Sequence, residues 1–190
     1  ELKELFKEGE YFTLQLKEQY HLWEGLLEGE IHDLSLGAYL LNPLKDSYAY
    51  DDLARDYMDL VLPGKKELQN TAEEGLYSAF VSWQAKNRIF QELKDTEQWE
   101  LYRDVEEPLV PVLYRMEKAG ILVDKELNLK VGEENYVLIK GFSIVSKSKL
   151  NELDDKTLAM FVRSGYMNLI NIHLSSLGNF QTLASRILSK

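Results

Sequence analysis

The chain has no cysteine, which excludes disulfides, thiolate nucleophiles and zinc sites of the finger kind. Long apolar runs are also missing. None approaches the roughly 18 residues that a membrane-spanning helix needs, and the charged opening from Glu1 does not have the form of a signal peptide. Histidine is scarce, and His21, His32 and His173 are too scattered to form a ligand set without carboxylates at helical spacing. His173 falls on an apolar helix face, where a structural role is the expectation. Absent too are G-x-x-x-x-G-K-[ST], G-x-G-x-x-G, G-x-S-x-G and H-E-x-x-H, so neither a phosphate-binding loop nor a common hydrolase motif is present. The expectation is a soluble, cytoplasmic protein with no membrane partner.

What is present is a 190-residue chain that is 45% hydrophobic, enough to bury a core in one domain or two small ones. Its charge is uneven. Residues 127–190 carry eight basic and five acidic side chains, net +3, whereas residues 1–126 carry 14 and 27, net −13. A field of that sign repels phosphate, so the first part is not expected to bind nucleic acid by itself. The step places a domain boundary near residue 127, giving 1–126 and 127–190.

Periodicity divides the two parts in texture. The first reads as mostly helical after a short aromatic strand at Glu10–Leu16. Helices are expected over Glu1–Glu8, Lys17–Leu27, Leu34–Leu41 with Asp33 as N-cap, from Tyr50, over Thr71–Leu93, and through Trp99 and Tyr102. In the Thr71–Leu93 helix, Leu76, Phe80, Trp83 and Ile89 have the spacing of a core-facing stripe. In DVEEPLVPVLYRMEKAGILVD, Asp104 to Asp124, Leu109, Val112, Leu113 and Met116 form another, with a start near Glu107, a kink at Pro111, a stop at Gly120 and an extended exit. The second part reads as a strand or hairpin at Tyr136–Ile144, then helices over Lys156–Ser164, Tyr166–Leu177 and Phe180–Leu188. The fold class is α+β and helix-rich. The adjacent acids Asp51-Asp52, Glu73-Glu74, Glu106-Glu107, Glu133-Glu134 and Asp154-Asp155 point about 100° apart on a helix, which suits capping or solvated surface better than chelation.

Two stretches carry a resemblance. HDLSLGAYLLNPLKDSYAYDDLARDYM, from His32, and YRDVEEPLVPVLYRMEKAGILVD, from Tyr102, resemble the 3′–5′ exonuclease domain of the bacterial DNA polymerase I family, over about residues 14–124. The resemblance implies a partial ribonuclease H-like exonuclease fold in a replication or repair context. That family's nuclease holds two magnesium ions on four carboxylates. Its first acid pair has no counterpart here, because the chain begins too late. Its Asn-x-x-x-Asp motif aligns with Gln15 to Gln19, a neutral amide in place of the acid, and its Tyr-x-x-x-Asp motif aligns with Tyr77 to Val81. The likeness thus implies an inactive exonuclease, a non-catalytic scaffold with no metal, no cofactor and no catalytic residue, and contact with DNA only through polymerase domains that are missing. Asp33 matches a family aspartate outside the metal set.

From about Leu138, GFSIVSKSKLNELDDKTLAMFVRSGYMNLINIHLSSLGNFQTLASRI is similar to the C-terminal end of the SapC family, through Gly141, Lys149, Leu150, Asp155, Ser164, Gly165, His173, Ser176 and Asn179, with Ser146 departing where aspartate is usual. This implies a small module of a β-hairpin plus helices and no known active site. Two further readings stand beside the scaffold. In one, a partner chain supplies the missing acids and a residual metal-dependent exonuclease results. In the other, the SapC-like part docks a protein partner. A partial exonuclease fold would also expose a sheet edge and an apolar face, which favours self-association.

Overall fold

The computed structural model describes residues 9–23, 29–131 and 134–176, with the backbone alone over 124–142. The helices expected over Glu1–Glu8 and Phe180–Leu188 lie outside the described residues, as does the end of the one expected over Lys17–Leu27. The chain forms two compact units, Glu1–Tyr114 and Arg115–Lys190. Residues 126 and 127, where the charge step falls, lie inside a strand.

The first unit opens with a strand, helix and strand: β1 (Glu10–Thr13), α1 (Leu16–Leu22) and β2 (Glu30–Asp33). The strands pair in parallel, Glu10 beside Glu30 and Phe12 beside His32. Helix α2 (Leu34–Leu41) follows at once, because the Asp33 carboxylate accepts from the N–H groups of Ser35 and Leu36 and satisfies two of the orphan donors of its first turn. Helix α3 (Tyr50–Met58) and a 3₁₀ turn (Lys65–Glu67) lead to the 25-residue α4 (Thr71–Asp95), capped by Asn70. Gly37 permits close approach of α2 and α4, since a Cβ there would come within 3.0 Å of Ile89. The core is built from Leu14, Leu34, Ala38, Leu53, Val81, Ala85, Ile89, Leu93 and Tyr102.

Helix α4 departs from the sequence expectation in which face it buries. Val81, Ser82, Ala85, Ile89 and Leu93 face inward. Of the stripe read from the sequence only Ile89 is buried; Leu76 is 72% exposed and Trp83 61%. Two apolar stripes exist on this helix, and periodicity alone cannot say which one finds a partner.

The chain then runs through α5 (Trp99–Leu101), a π-helical segment (Tyr102–Glu106) and α6 (Glu107–Lys118), which keeps Pro111 inside it. Val110 and Tyr114 are buried along with Val112 and Met116, while Leu113 is 41% exposed. A helix buried on two sides shows no single stripe, which is why the expected one was only half right. Gly120, with φ of +68°, ends the helix in the left-handed conformation that glycine adopts without strain.

In the second unit β3 (Leu122–Val131) and β4 (Glu134–Val145) form an antiparallel hairpin, longer than the strand read from the sequence. The register breaks on either side of Leu127, and the longer β4 takes up the extra residues. Helices α7 (Lys147–Asn151), α8 (Asp155–Arg163, N-cap Asp154) and α9 (Tyr166–Ser176) follow. Phe161 and Ile170 are fully buried. His173 accepts a hydrogen bond on Nε2 from the Val145 N–H at 3.2 Å, tying α9 to the end of β4. Among the described residues no helix is long and apolar enough to cross a membrane.

Candidate functional site

The residues that resemblance marks as degenerate motif positions fall in different surroundings. Gln15 is exposed, sits at the N-cap of α1 with φ of +54°, and makes no side-chain cap bond. Gln19 is half-buried one turn on. Tyr77 stacks on Tyr50 with ring centroids 5.6 Å apart. Val81 is buried in the core with no exposed surface. Among the described residues no group of three or more His, Cys, Asp or Glu is placed to hold a metal ion.

A different set of polar residues converges on the end of β2. His32 is buried, and both of its ring nitrogens face carboxylates. Nδ1 lies 3.1 Å from Glu107, and Nε2 lies 3.2 Å from Glu10 and 3.8 Å from Glu30. Parallel pairing sets Glu10 beside Glu30, a like-charge contact that an imidazolium between them offsets. Phe12 stacks on the ring at 5.5 Å, and Phe90 meets it edge-on at 5.3 Å. Burial alone would lower the His32 pKa, but the hydrogen bond and charge of Glu107, with Glu10 and Glu30, outweigh it and hold the value above the ordinary one.

Asp33 is the second centre. Its carboxylate accepts from four backbone N–H groups, those of Gln15 (3.1 Å), Leu16 (2.9 Å), Ser35 (3.0 Å) and Leu36 (3.4 Å). It therefore caps α2 and holds the left-handed turn into α1 at once. Burial pushes its pKa up to about 6, against those four donors.

The π-helical segment is what brings α6 to this cluster. Tyr102 donates through its hydroxyl to the Asp33 carbonyl at 3.2 Å, and Glu107 accepts from the Asp33 N–H at 3.1 Å. Five residues apart in an α-helix, two side chains diverge by about 140°; the wider π turn returns them to one side. Burial, with the nearby Glu107, pushes the Tyr102 pKa far up, so the phenol stays a donor.

Sequence reading found Asp33 as a cap and missed His32 and Glu107, whose partners lie at positions 10, 30, 32 and 107. The available signal was His32 two residues from Glu30 on a strand, hence on the same face. With both ring nitrogens engaged, the cluster works chemically as a clamp and not as an open site.

The clamp gives unit one a pH dependence of definite sign. Both raised groups bind protons more tightly folded than unfolded, so their stabilisation is complete below the unfolded values and is lost as pH rises through the folded ones. For Asp33 that window runs from its ordinary 3.8 through about 6, and for His32 it lies above 6.5. The melting temperature is expected to fall by about 5–10 °C between pH 5 and pH 8, measured by circular dichroism, and to flatten in His32→Gln. A curve that rises over that range contradicts the clamp.

Comparison with known proteins gives two likenesses. The family model described as SapC matches residues 93–183, reaching upstream of the stretch on which the motif likeness rests. DNA polymerase I of Bacillus subtilis (strain 168) is 29% identical over 147 residues, covering 69% of this chain and 16% of that protein. DNA polymerase I of Geobacillus stearothermophilus is 28% identical over 125 residues, and that of Bacillus caldotenax 31% over 125, each covering 59% of this chain and 14% of the relative. The chain thus spans less than a fifth of the length of these curated relatives.

Proposed function

We propose that residues 1–126 are a non-catalytic remnant of a DNA polymerase proofreading exonuclease domain, kept as a scaffold and joined to a SapC-like module, in a cytoplasmic replication or repair setting. The observation that supports this most directly is Val81. It aligns with a carboxylate that the family's chemistry needs at the metals, and it is sealed in the core with no exposed surface. The parallel β1–α1–β2 unit agrees with a piece of a ribonuclease H-like sheet. Gln19 offers a neutral amide, and Val81 an apolar side chain, where the family's motifs carry the acids that hold a hard divalent cation, so the residues present do not fit magnesium. DNA would reach this chain only through polymerase domains outside it.

The test is a nuclease assay on end-labelled single-stranded DNA with magnesium or manganese. Intact substrate after prolonged incubation is the expected result. Degradation that EDTA abolishes, and that a catalytically dead preparation control lacks, overturns the reading in favour of a residual exonuclease.

A further inference from the structure

Helix α4 carries an outer apolar face that is largely open to solvent, met among the described residues by Phe12, edge-on to Trp83 at 6.2 Å, and by Lys86. Leu76, Phe80 and Trp83 are 72%, 44% and 61% exposed. At 100° per residue they lie within about 50° of one line, with exposed Ala72 and Ala79 between them. Gly75 flanks the same face. Glycine is disfavoured inside a helix, and a Cβ at this position would meet nothing within 4 Å, so packing within the chain does not require it. It leaves room for a close approach from outside the chain. Contiguous exposed apolar surface of this kind marks an interface.

The charges of α4 say what fits there. Its first turn carries Glu73 and Glu74, and its later turns carry Lys86 and Arg88. About the midpoint between Ala79 and Phe80, Leu76 stands opposite Trp83, Ala79 opposite Phe80 and Ala72 opposite Asn87, so a smaller side chain faces a larger one across it. A two-fold axis through that midpoint, perpendicular to the helix, pairs two copies of α4 antiparallel. Leu76 then meets Trp83 of the second copy, Ala79 lies beside its own equivalent, and each acidic first turn runs alongside the turn holding Asn87 and Arg88. The helix dipoles also oppose. A surface complementary to itself is what a closed two-fold dimer requires.

We propose that a second copy of this chain docks antiparallel on the Leu76–Phe80–Trp83 face of α4. Lys86, whose Nζ lies 3.3 Å from the Trp83 ring and 4.0 Å from the Phe12 ring, borders the contact on one flank. The dimer does not depend on whether the chain retains nuclease activity.

Sedimentation equilibrium of the full chain, at micromolar concentrations and about 0.15 M salt to screen its net negative charge, is expected to give twice the 22.1 kDa chain mass. Leu76→Glu and Trp83→Glu should each weaken association by at least about tenfold; Leu76→Glu should also leave the melting temperature unchanged, because that side chain faces solvent in the single chain, whereas Trp83→Glu also gives up the Phe12 and Lys86 contacts. The absence of cysteine allows a second test. Ala79→Cys should cross-link to its own equivalent on mild oxidation, whereas Glu100→Cys, also exposed, should not. A monomer at every concentration overturns the proposal. So does a dimer that persists undiminished in both glutamate variants, which would place the contact elsewhere.

Discussion

Val81→Asp is expected to unfold unit one. The side chain it replaces is fully buried in the apolar cluster that also holds Leu14, Leu34, Ala85 and Ile89. An isolated buried acid either stays charged at a large desolvation cost or takes up a proton and loses its hydrogen bonds to water. The expected loss is about 4–5 kcal/mol, a large share of the 5–15 kcal/mol that holds an ordinary domain. Val81→Ala is the control for volume alone and should cost about 1–3 kcal/mol. Urea denaturation followed by circular dichroism separates the two. If the aspartate variant retains wild-type stability, the position is not sealed, and the main support for a closed nuclease site is lost.

Asp33→Ala is the second large effect, expected at about 3–4 kcal/mol. Four backbone N–H groups lose their acceptor together, two at the start of α2 and two in the turn before α1. Each buried donor left without a partner costs about 1–3 kcal/mol, and those nearest solvent recover part of this from water. Gln15 adds to the effect, because its left-handed backbone is unfavourable for a residue with a side chain and the Asp33 bond helps to hold it. Asp33→Asn should cost less. Oδ1 takes three of the four donors and an asparagine oxygen can keep them, while only the Leu16 N–H would face the amide nitrogen. Equal destabilisation by the two variants would show that charge, and not the set of acceptor bonds, is what Asp33 supplies.

Local signals in the sequence were sufficient for elements whose ends are set by their own residues. Asp33 and Asp154 cap the helices expected after them, Asn42 follows the last turn of α2, and Gly120 closes α6. Signals that depend on distant partners were not readable. The stripe of Leu76, Phe80 and Trp83 is as regular as the buried one, and only the packing of β1 and α2 on α4 decides between them. Tyr114 is buried because it stacks on Tyr20 at 5.5 Å, a residue 94 positions earlier in the chain. Helix α7 is a single turn bounded by Ser146, too short for any periodicity to register. The His32 clamp needs the parallel register of β1 and β2, which no turn chemistry dictates, and the π turn before Glu107, which no propensity marks.

That π turn also sets what kind of change the chain can absorb. Arg103, Asp104 and Val105 are exposed, so their side chains are open to exchange. Their number is set by turn type. The π turn holds one residue more than an ordinary helix needs to bring Tyr102 and Glu107 together: a segment shortened by one and rewound as α-helix leaves them four apart, about 40° from each other and still on one side. The same five-residue spacing wound as α-helix would part them by about 140° and take one of them from Asp33. The stretch is free in composition, and its length is tied to the kind of turn it makes.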